Sequence, residues 1–206
     1  MSKYHTPLVC DTFYHIFNRA TGKEKLFVEA DNYYFFLQKF KYHIQPIADT
    51  YCWCLLPNHF HFLVRIKQEQ CVKDAFVVVK KKEPASYAEL QDFLMERFAN
   101  CCNSYTKAFN KKYARKGSLF IDYLKRVPID NDHQLLSTIF YIHKNPVHHG
   151  LCSDIDAWQW SSYKTFFSTA ATNVKRNEVL QSFQGIRNFE QFHRQPIYLK
   201  DAAVVE

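Results

Sequence analysis

Two histidines in the segment LLPNHFHFLVRI, residues 55–66, are the first side chains in the chain that indicate a metal site. His59 and His61 are one residue apart in an otherwise apolar run, which predicts a β-strand. Because residues i and i+2 of a strand project from one face, both imidazoles point to the same side of the sheet. Two imidazoles at this spacing can share one divalent ion. The alternative is a pair of partly buried histidines bonded to backbone groups, since such a pair needs further ligands to hold a metal.

A tyrosine and an asparagine lie one helical turn apart in the segment STIFYIHKNPVHHGL, residues 137–151. The spacing of the apolar residues around Ile139 and Ile142 predicts a helix, and Tyr141 and Asn145 fall on its polar face, away from the apolar stripe. Residues i and i+4 are neighbours on a helix, so the amide oxygen of Asn145 can lie beside the phenol. An amide oxygen is an acceptable ligand for Mg²⁺ or Mn²⁺. Taken alone, the pattern is better explained by an exposed tyrosine ahead of a helix-ending Asn-Pro turn, because tyrosine is common on helix surfaces.

Four separated segments carry a resemblance to a known family. In chain order they are LLPNHFHFLVR, YTKAFNKKYARKGSLFIDYLKRV, YIHKNPVHHGL and WQWSSYKTF. Together they resemble the single-tyrosine HUH transposases, most of all the REP-associated tyrosine transposase branch, over residues 13–167. HUH denotes His-hydrophobe-His on a central strand, which His59-Phe60-His61 matches. The resemblance implies that Tyr141 is the nucleophile and that Asn145 completes the metal site formed by the two histidines.

The resemblance also implies an activity. The chain would cleave and rejoin single-stranded DNA at hairpin, REP-like sequences through a 5′-phosphotyrosine intermediate, with Mg²⁺ or Mn²⁺ as cofactor. Zinc is the rival metal, because imidazole is a softer ligand than Mg²⁺ prefers. Two other functions stay open: a hairpin-binding protein without chemistry, and a metal-dependent phosphodiesterase that uses water while Tyr141 is structural. Both a monomer and a homodimer are compatible with the resemblance.

Basic and aromatic residues alternate in the middle of the chain. Basic side chains can bind phosphates while aromatic rings stack on unpaired bases, and a net charge of +7 favours a polyanionic partner. The alternative is a solvated helix end whose aromatic rings face inward. The predicted DNA contacts are Lys107, Lys111, Lys112, Arg115, Lys116, Lys125 and Arg126. We expect the histidines at 143, 148 and 149 to be solvated.

The elements that must position these residues follow from hydrophobic periodicity and from turn and cap residues. Strands are predicted at 13–19, 47–56, 59–66 and 118–127. Helices are predicted from Asp31 to Phe40, from Ser86 to Tyr113 and from His133 to Lys144, where Asn145-Pro146 should end the last of them. The connection over 68–84 has no clear form. The order β-α-β-β-α-β plus one more helix predicts an α+β, ferredoxin-like antiparallel sheet with helices on one face and an additional catalytic helix.

The composition limits the class of protein. Residues 1–167 are expected to form the catalytic domain and 168–206 a docked, helical C-terminal extension. The seven cysteines are odd in number and form no C-x-x-C pair, which favours reduced thiols. Four glycines and no G-x-x-x-x-G-K-[ST] pattern argue against a phosphate-binding loop. With neither a signal-peptide pattern nor an apolar run long enough to span a bilayer, we expect a cytoplasmic, nucleoid-associated protein and no membrane partner.

Overall fold

Four strands and six helices are present in the computed structural model, which describes residues 6–121 and 123–195. The strands are β1 (Phe13–Arg19), β2 (Ala48–Leu56), β3 (His59–Ile66) and β4 (Lys125–Ile129). The helices are α1 (Ala30–Ile44), α2 (Glu69–Lys80), α3 (Tyr87–Lys112), α4 (Asp132–His148), α5 (Arg176–Ser182) and α6 (Ile186–His193). Within this part of the chain, no helix is both long and apolar enough to cross a bilayer.

The strands form one antiparallel sheet in the order β2-β3-β1-β4. The tight Pro57-Asn58 reversal joins β2 to β3, and the longer connections through α1 and through α2 and α3 place β1 and β4 on the other side of β3. The predicted α+β fold with a ferredoxin-like antiparallel sheet is confirmed.

One face of the sheet packs against α1 and α3. Every second residue of β3 enters this core: Phe60 lies against Phe36, and Phe62 stacks on Phe40 with ring centroids 3.7 Å apart. The predicted start of α3 is correct, because the Ser86 hydroxyl accepts a hydrogen bond from the backbone N–H of the third residue of the helix.

The opposite face is covered by α4, with α5 and α6 packed around it. The second core contains residues from β2 and β3 together with all three helices, including Cys52, Leu63, Ile142, Val179 and Phe189. This places α1 and α3 on one face of the sheet and α4, with α5 and α6 beside it, on the other. His59 and His61, which alternate with Phe60 and Phe62, therefore project toward α4.

The predicted fourth strand begins later than expected, at Lys125 instead of 118. Phe120 makes an isolated bridge to Ala20, and its side chain is buried in the first core instead of continuing the ladder. Tyr123 then adopts a left-handed backbone with φ of 64°, which interrupts the extended chain before β4.

The last long helix continues beyond the predicted stop at Lys144 and ends at His148. Pro146 removes only its own N–H from the helical pattern, and the N–H of His149 still bonds to the Asn145 carbonyl at 3.0 Å. Asn145 and Pro146 are both buried, so packing favours the extra helical turn.

Two smaller differences from the prediction concern helices α1 and α2. The unclear connection at 68–84 contains α2, whose Val72 and Phe76 are buried at i, i+4 spacing. The N-cap of α1 is Glu29 instead of Asp31, because Glu29 and Asn32 bond reciprocally to each other's backbone N–H groups.

The segment after Trp158 covers the outer edge of β2. Backbone bonds join Leu55 N–H to the Trp160 carbonyl at 2.8 Å and the Ser162 N–H to the Trp53 carbonyl at 2.9 Å. Further along, Val174 bridges to Thr50 in parallel orientation before α5 begins. This pairing provides hydrogen-bond partners for backbone groups at the outer edge of β2, and it directs α5 and α6 onto α4. The division of the chain at residue 167 stays a prediction.

Candidate active site

β3 brings the two histidines together on the face toward α4. His61 is 1% exposed and His59 is half-buried, and their ring centroids are 5.1 Å apart with the planes at 89°. The register places Phe17 of β1 on one side of His61 and Cys54 of β2 on the other. The central position of β3 therefore encloses His61, while His59, at the start of the strand, lies nearer the surface.

α4 adds the tyrosine and the asparagine to this pair. The ring of Tyr141 lies edge-on to that of His61, with centroids 5.6 Å apart. The Asn145 Oδ1 atom lies 3.0 Å from His59 Nε2. The four residues singled out from the sequence, which come from strand and helix segments about 80 residues apart, thus meet in one place.

The alternative that Tyr141 is an exposed tyrosine is wrong. Tyr141 is 6% exposed and Asn145 is fully buried, as is most of Thr138. The reason is that α4 is covered on two sides, by the sheet and by α6. Its polar face packs on a sheet surface that itself carries imidazoles, so polarity does not indicate solvent exposure here.

His59 lies between two amide oxygens. Its Nδ1 lies 2.7 Å from Asn58 Oδ1 and its Nε2 lies 3.0 Å from Asn145 Oδ1. A neutral imidazole carries one proton and can donate to only one of these two acceptors. With the proton on Nε2, the ring donates to Asn145. With the proton on Nδ1, the ring donates to Asn58, and the lone pair of Nε2 and the Asn145 oxygen are then placed to share one cation.

His61 has the same pattern. Its Nδ1 lies 2.9 Å from Nε2 of His15 on β1, and its Nε2 is buried without a hydrogen-bond partner among the residues described. Burial lowers the pKa of His61 well below its usual value, with the neighbouring imidazoles adding to the effect, and burial lowers the pKa of His15 to about 3. Both rings are therefore neutral at pH 7, the form that a metal ligand requires.

The donor set fits a divalent cation. Within the described residues no three His, Cys, Asp or Glu side chains are arranged to hold one metal ion, so the third ligand would be the Asn145 amide oxygen. An orphaned buried imidazole nitrogen and a facing amide oxygen are positions that a cation would satisfy.

An open cleft leads to the histidines. Its lining residues are Phe17, Asn18, Arg19, Asn58, His59, His61, Ile121, Lys125 and His149. The ring of His149 lies 4.8 Å from that of His59, and Lys125 Nζ lies 5.5 Å from the centre of the Phe17 ring. Positive side chains at the mouth of a cleft suit a phosphate substrate.

Sequence reasoning missed His15 and misjudged His143. The β1 segment FYHIFNR places His15 and Phe17 on one face, but only the register of β1 against β3 brings His15 beside His61. His143, expected to be solvated, is fully buried between His193 and Ser162. His148 and His149 are exposed, as expected, although His149 also lines the cleft.

The predicted DNA-binding residues divide into two groups. Lys107, Lys111 and Lys116 are exposed near the end of α3. Lys112 pairs with Glu29 at 2.5 Å, and Arg115 is held by Glu24 and by loop carbonyl groups. These residues belong to α3 and the loop after it, on the face opposite α4.

The other two predicted DNA contacts, Lys125 and Arg126, project from opposite faces of β4. Alternation along the strand directs Lys125 toward the α4 face and Arg126 toward the α1 and α3 face. Arg126 is 8% exposed, and its guanidinium donates to the backbone carbonyls of Thr6 and Leu124. These contacts make Arg126 a structural residue in this fold.

One solved structure is similar to this chain over most of its length. It is a REP-associated tyrosine transposase bound to a REP hairpin, with a TM-score of 0.61, 14% sequence identity, and coverage of 85% of this chain and 94% of that one. No family model matches the chain, and no curated protein does. At this identity the likeness establishes a shared fold.

Proposed function

We propose that the protein binds hairpin DNA and cleaves and rejoins an adjacent single strand, with Tyr141 as nucleophile. The observation that carries the proposal is the meeting of Tyr141 with His61, at 5.6 Å between ring centroids, while Asn145 lies 3.0 Å from His59. The fold shared with a transposase bound to a REP hairpin supports the choice of DNA as substrate.

The covalent step is a transesterification. The phenolic oxygen of Tyr141 attacks the scissile phosphorus, a tyrosyl O–P bond forms, and the bond from phosphorus to the 3′ oxygen breaks. The phenolic proton is transferred to the departing 3′ oxygen, directly or through water, so no further reactant is consumed. A free phenol has a pKa near 10, so proton removal is part of the barrier. The reverse attack by a 3′-hydroxyl restores the phosphodiester and frees the tyrosine.

The two histidines and the asparagine would hold the cofactor, Mg²⁺ or Mn²⁺. When bound there, the cation supplies charge that polarises the scissile phosphate and stabilises the leaving oxygen. The protein's own contribution is orientation: Asn58 holds the ring of His59, and the strand and helix that carry the ligands are both packed in a core. Lys125 and His149 at the cleft mouth would contact the phosphates that flank the scissile one.

The test is covalent capture of DNA. A panel of imperfect hairpin oligonucleotides with single-stranded flanks, labelled at the 3′ end, is incubated with the protein and Mn²⁺ and resolved on a denaturing gel. We expect a labelled protein band that is lost in Tyr141→Phe. Tyr123→Phe is the matched control and should leave the band unchanged, because Tyr123 is 74% exposed and is not among the residues that line the cleft. A band that persists in Tyr141→Phe would rule out Tyr141 as nucleophile.

A second function, hairpin binding without cleavage, is favoured by the burial of Tyr141. A phenol that is 6% exposed is reached by a phosphate only after a neighbouring group moves. A native gel run on the same samples separates the functions: a hairpin retained on the native gel, with neither adduct nor shortened product on the denaturing gel, supports the binder. Shortened product without an adduct, surviving Tyr141→Phe, supports hydrolysis by water.

A further inference from the structure

We infer that His15 is a positioning residue of the metal site, which accepts the Nδ1 proton of His61 and thereby directs Nε2 of His61 toward the cation. The inference rests on the proposed function for the identity of the cation site, and it adds a residue outside the ligand set. His15 does not touch the substrate or the cation in this role. It acts through His61.

The geometry of the pair is that of a buried hydrogen bond. His15 Nε2 lies 2.9 Å from His61 Nδ1, and the rings stack at 5.1 Å with an interplanar angle of 23°. Both rings are at most 1% exposed, so water cannot replace the contact. In the β1–β3 register His61 faces Phe17, so His15 is its diagonal neighbour on the same face, within reach of an aromatic side chain.

Two proton arrangements are compatible with the contact. In the first, His61 carries its proton on Nδ1 and donates it to His15, which leaves a lone pair on His61 Nε2 and places the proton of His15 on its Nδ1, a buried atom with no partner among the described residues. In the second, His15 donates, and the proton of His61 is on Nε2, where no acceptor exists among the described residues. Only the first arrangement allows a cation at Nε2, so metal binding selects the tautomer in which His15 is the acceptor.

The two histidine ligands are held in the same way by different partners. His59 is bonded through Nδ1 to Asn58, and His61 is bonded through Nδ1 to His15. Each ring therefore has a protein partner at Nδ1. His59 Nε2 lies 3.0 Å from Asn145 Oδ1, and Nε2 of His61 has no partner among the described residues. A second partner that fixes the ring in this way orients the ligand and increases its basicity, and its loss costs roughly 10- to 100-fold in metal affinity.

A simple packing role for His15 is the competing explanation, and two substitutions separate the roles. His15→Phe keeps a ring that can stack on Phe17 and His61 but removes the acceptor. His15→Gln loses the ring but keeps a side-chain oxygen that can accept the Nδ1 proton. A packing role predicts that Phe is tolerated and Gln is not, whereas the positioning role predicts the reverse for metal binding.

The measurement is Mn²⁺ affinity of the full chain by calorimetry, without DNA, alongside urea unfolding of each variant. We expect His15→Phe to weaken Mn²⁺ binding about 10- to 100-fold and His15→Gln to restore most of it. Equal affinity in the wild-type protein and His15→Phe would overturn the inference. The inference would also be overturned if both variants bound Mn²⁺ more weakly in proportion to their loss in free energy of unfolding.

A second measurement does not need a folded variant. In the wild-type protein saturated with Mg²⁺, nitrogen NMR of the imidazoles should show His15 and His61 each protonated at Nδ1. Protonation of His61 at Nε2 under saturation would refute the inference. Absence of Mn²⁺ and Mg²⁺ binding by the wild-type protein would remove the metal site and the inference together. Metal binding with the expected tautomers but no covalent DNA adduct would contradict only the proposed cleavage.

Discussion

His193, the buried imidazole that joins α6 to α4, should make the fold sensitive to acid. Its Nε2 lies 2.9 Å from His143 Nδ1, and its Nδ1 lies 2.8 Å from the Phe189 carbonyl. Burial lowers the pKa of His193 to about 4; the Phe189 carbonyl opposes this effect and the charge of Lys144 adds to it. The ring of Tyr163 also packs on it, at 5.3 Å between centroids. None of these neighbours is an acidic side chain that would raise the pKa of His193 again.

The sign of the effect follows from which state binds the proton more tightly. The unfolded chain binds a proton at this histidine with a pKa near 6.5, and the folded protein does so only near 4. The stabilisation is therefore fully present above pH 6.5 and is lost as the pH falls toward 4. For one group with these two pKa values, the free energy of unfolding falls by about 2 kcal/mol between pH 7.5 and pH 5.0.

The assay is urea unfolding at pH 7.5 and pH 5.0, applied to the wild-type protein and to His193→Gln. Glutamine is neutral at both pH values and can keep one hydrogen bond. The variant also loses the ring contacts of His193, but that loss is the same at both pH values and cancels in the difference. We expect the wild-type protein to lose about 2 kcal/mol more than the variant between the two pH values. His133→Gln, on the exposed first turn of α4, is the control and should lose as much as the wild-type protein.

Equal losses in the wild-type protein and His193→Gln would refute the reasoning, because the buried imidazole would then not be the group that binds the proton. The result matters for the site, since α6 packs on α4 and α4 carries Tyr141 and Asn145. Release of α6 in acid would remove the support on the side of α4 that faces away from the sheet.

Three further predictions test the surface and the fold. Replacing Lys111 and Lys116 together by glutamine should weaken hairpin binding and reduce the slope of log affinity against log salt by about 1.5, measured by salt-dependent filter retention; an unchanged slope would exclude them as phosphate contacts. Arg126→Met should leave that slope unchanged but lower the free energy of unfolding by about 1–3 kcal/mol in urea, because two backbone carbonyls lose their donor. Ser86→Ala should lower it by about 1 kcal/mol through loss of the α3 N-cap, whereas Ser86→Asp, which can still cap the helix, should not.

Local features were readable from the sequence because they depend on neighbours in the chain. The alternation around His59 and His61 predicts a strand with both imidazoles on one face, and the bounds of β1 and β3 agree with the prediction. Ser86 marks the start of α3 in the same local way, through one hydroxyl and one backbone N–H. The order of strands and helices was sufficient for the ferredoxin-like sheet, since short reversals and long helical connections limit which strands can be neighbours.

Other features could not be read because they depend on contacts distant in the chain. The continuation of α4 through Pro146 reflects burial of that turn, which outweighs one missing hydrogen bond. The late start of β4 reflects the burial of Phe120 in the first core. The burial of these residues cannot be predicted from the pattern of neighbouring residues in the sequence.

For the site, the sequence by itself determined which side chains could act: two imidazoles one strand period apart, and a phenol and an amide one helical turn apart. Only the tertiary structure decided that α4 packs across β2 and β3, that Tyr141 is buried beside His61, and that His15 lies against His61. The physical reason is that residue spacing fixes directions within one element. Strand register and helix packing, which bring separate elements together, are set by the two cores that the whole chain forms.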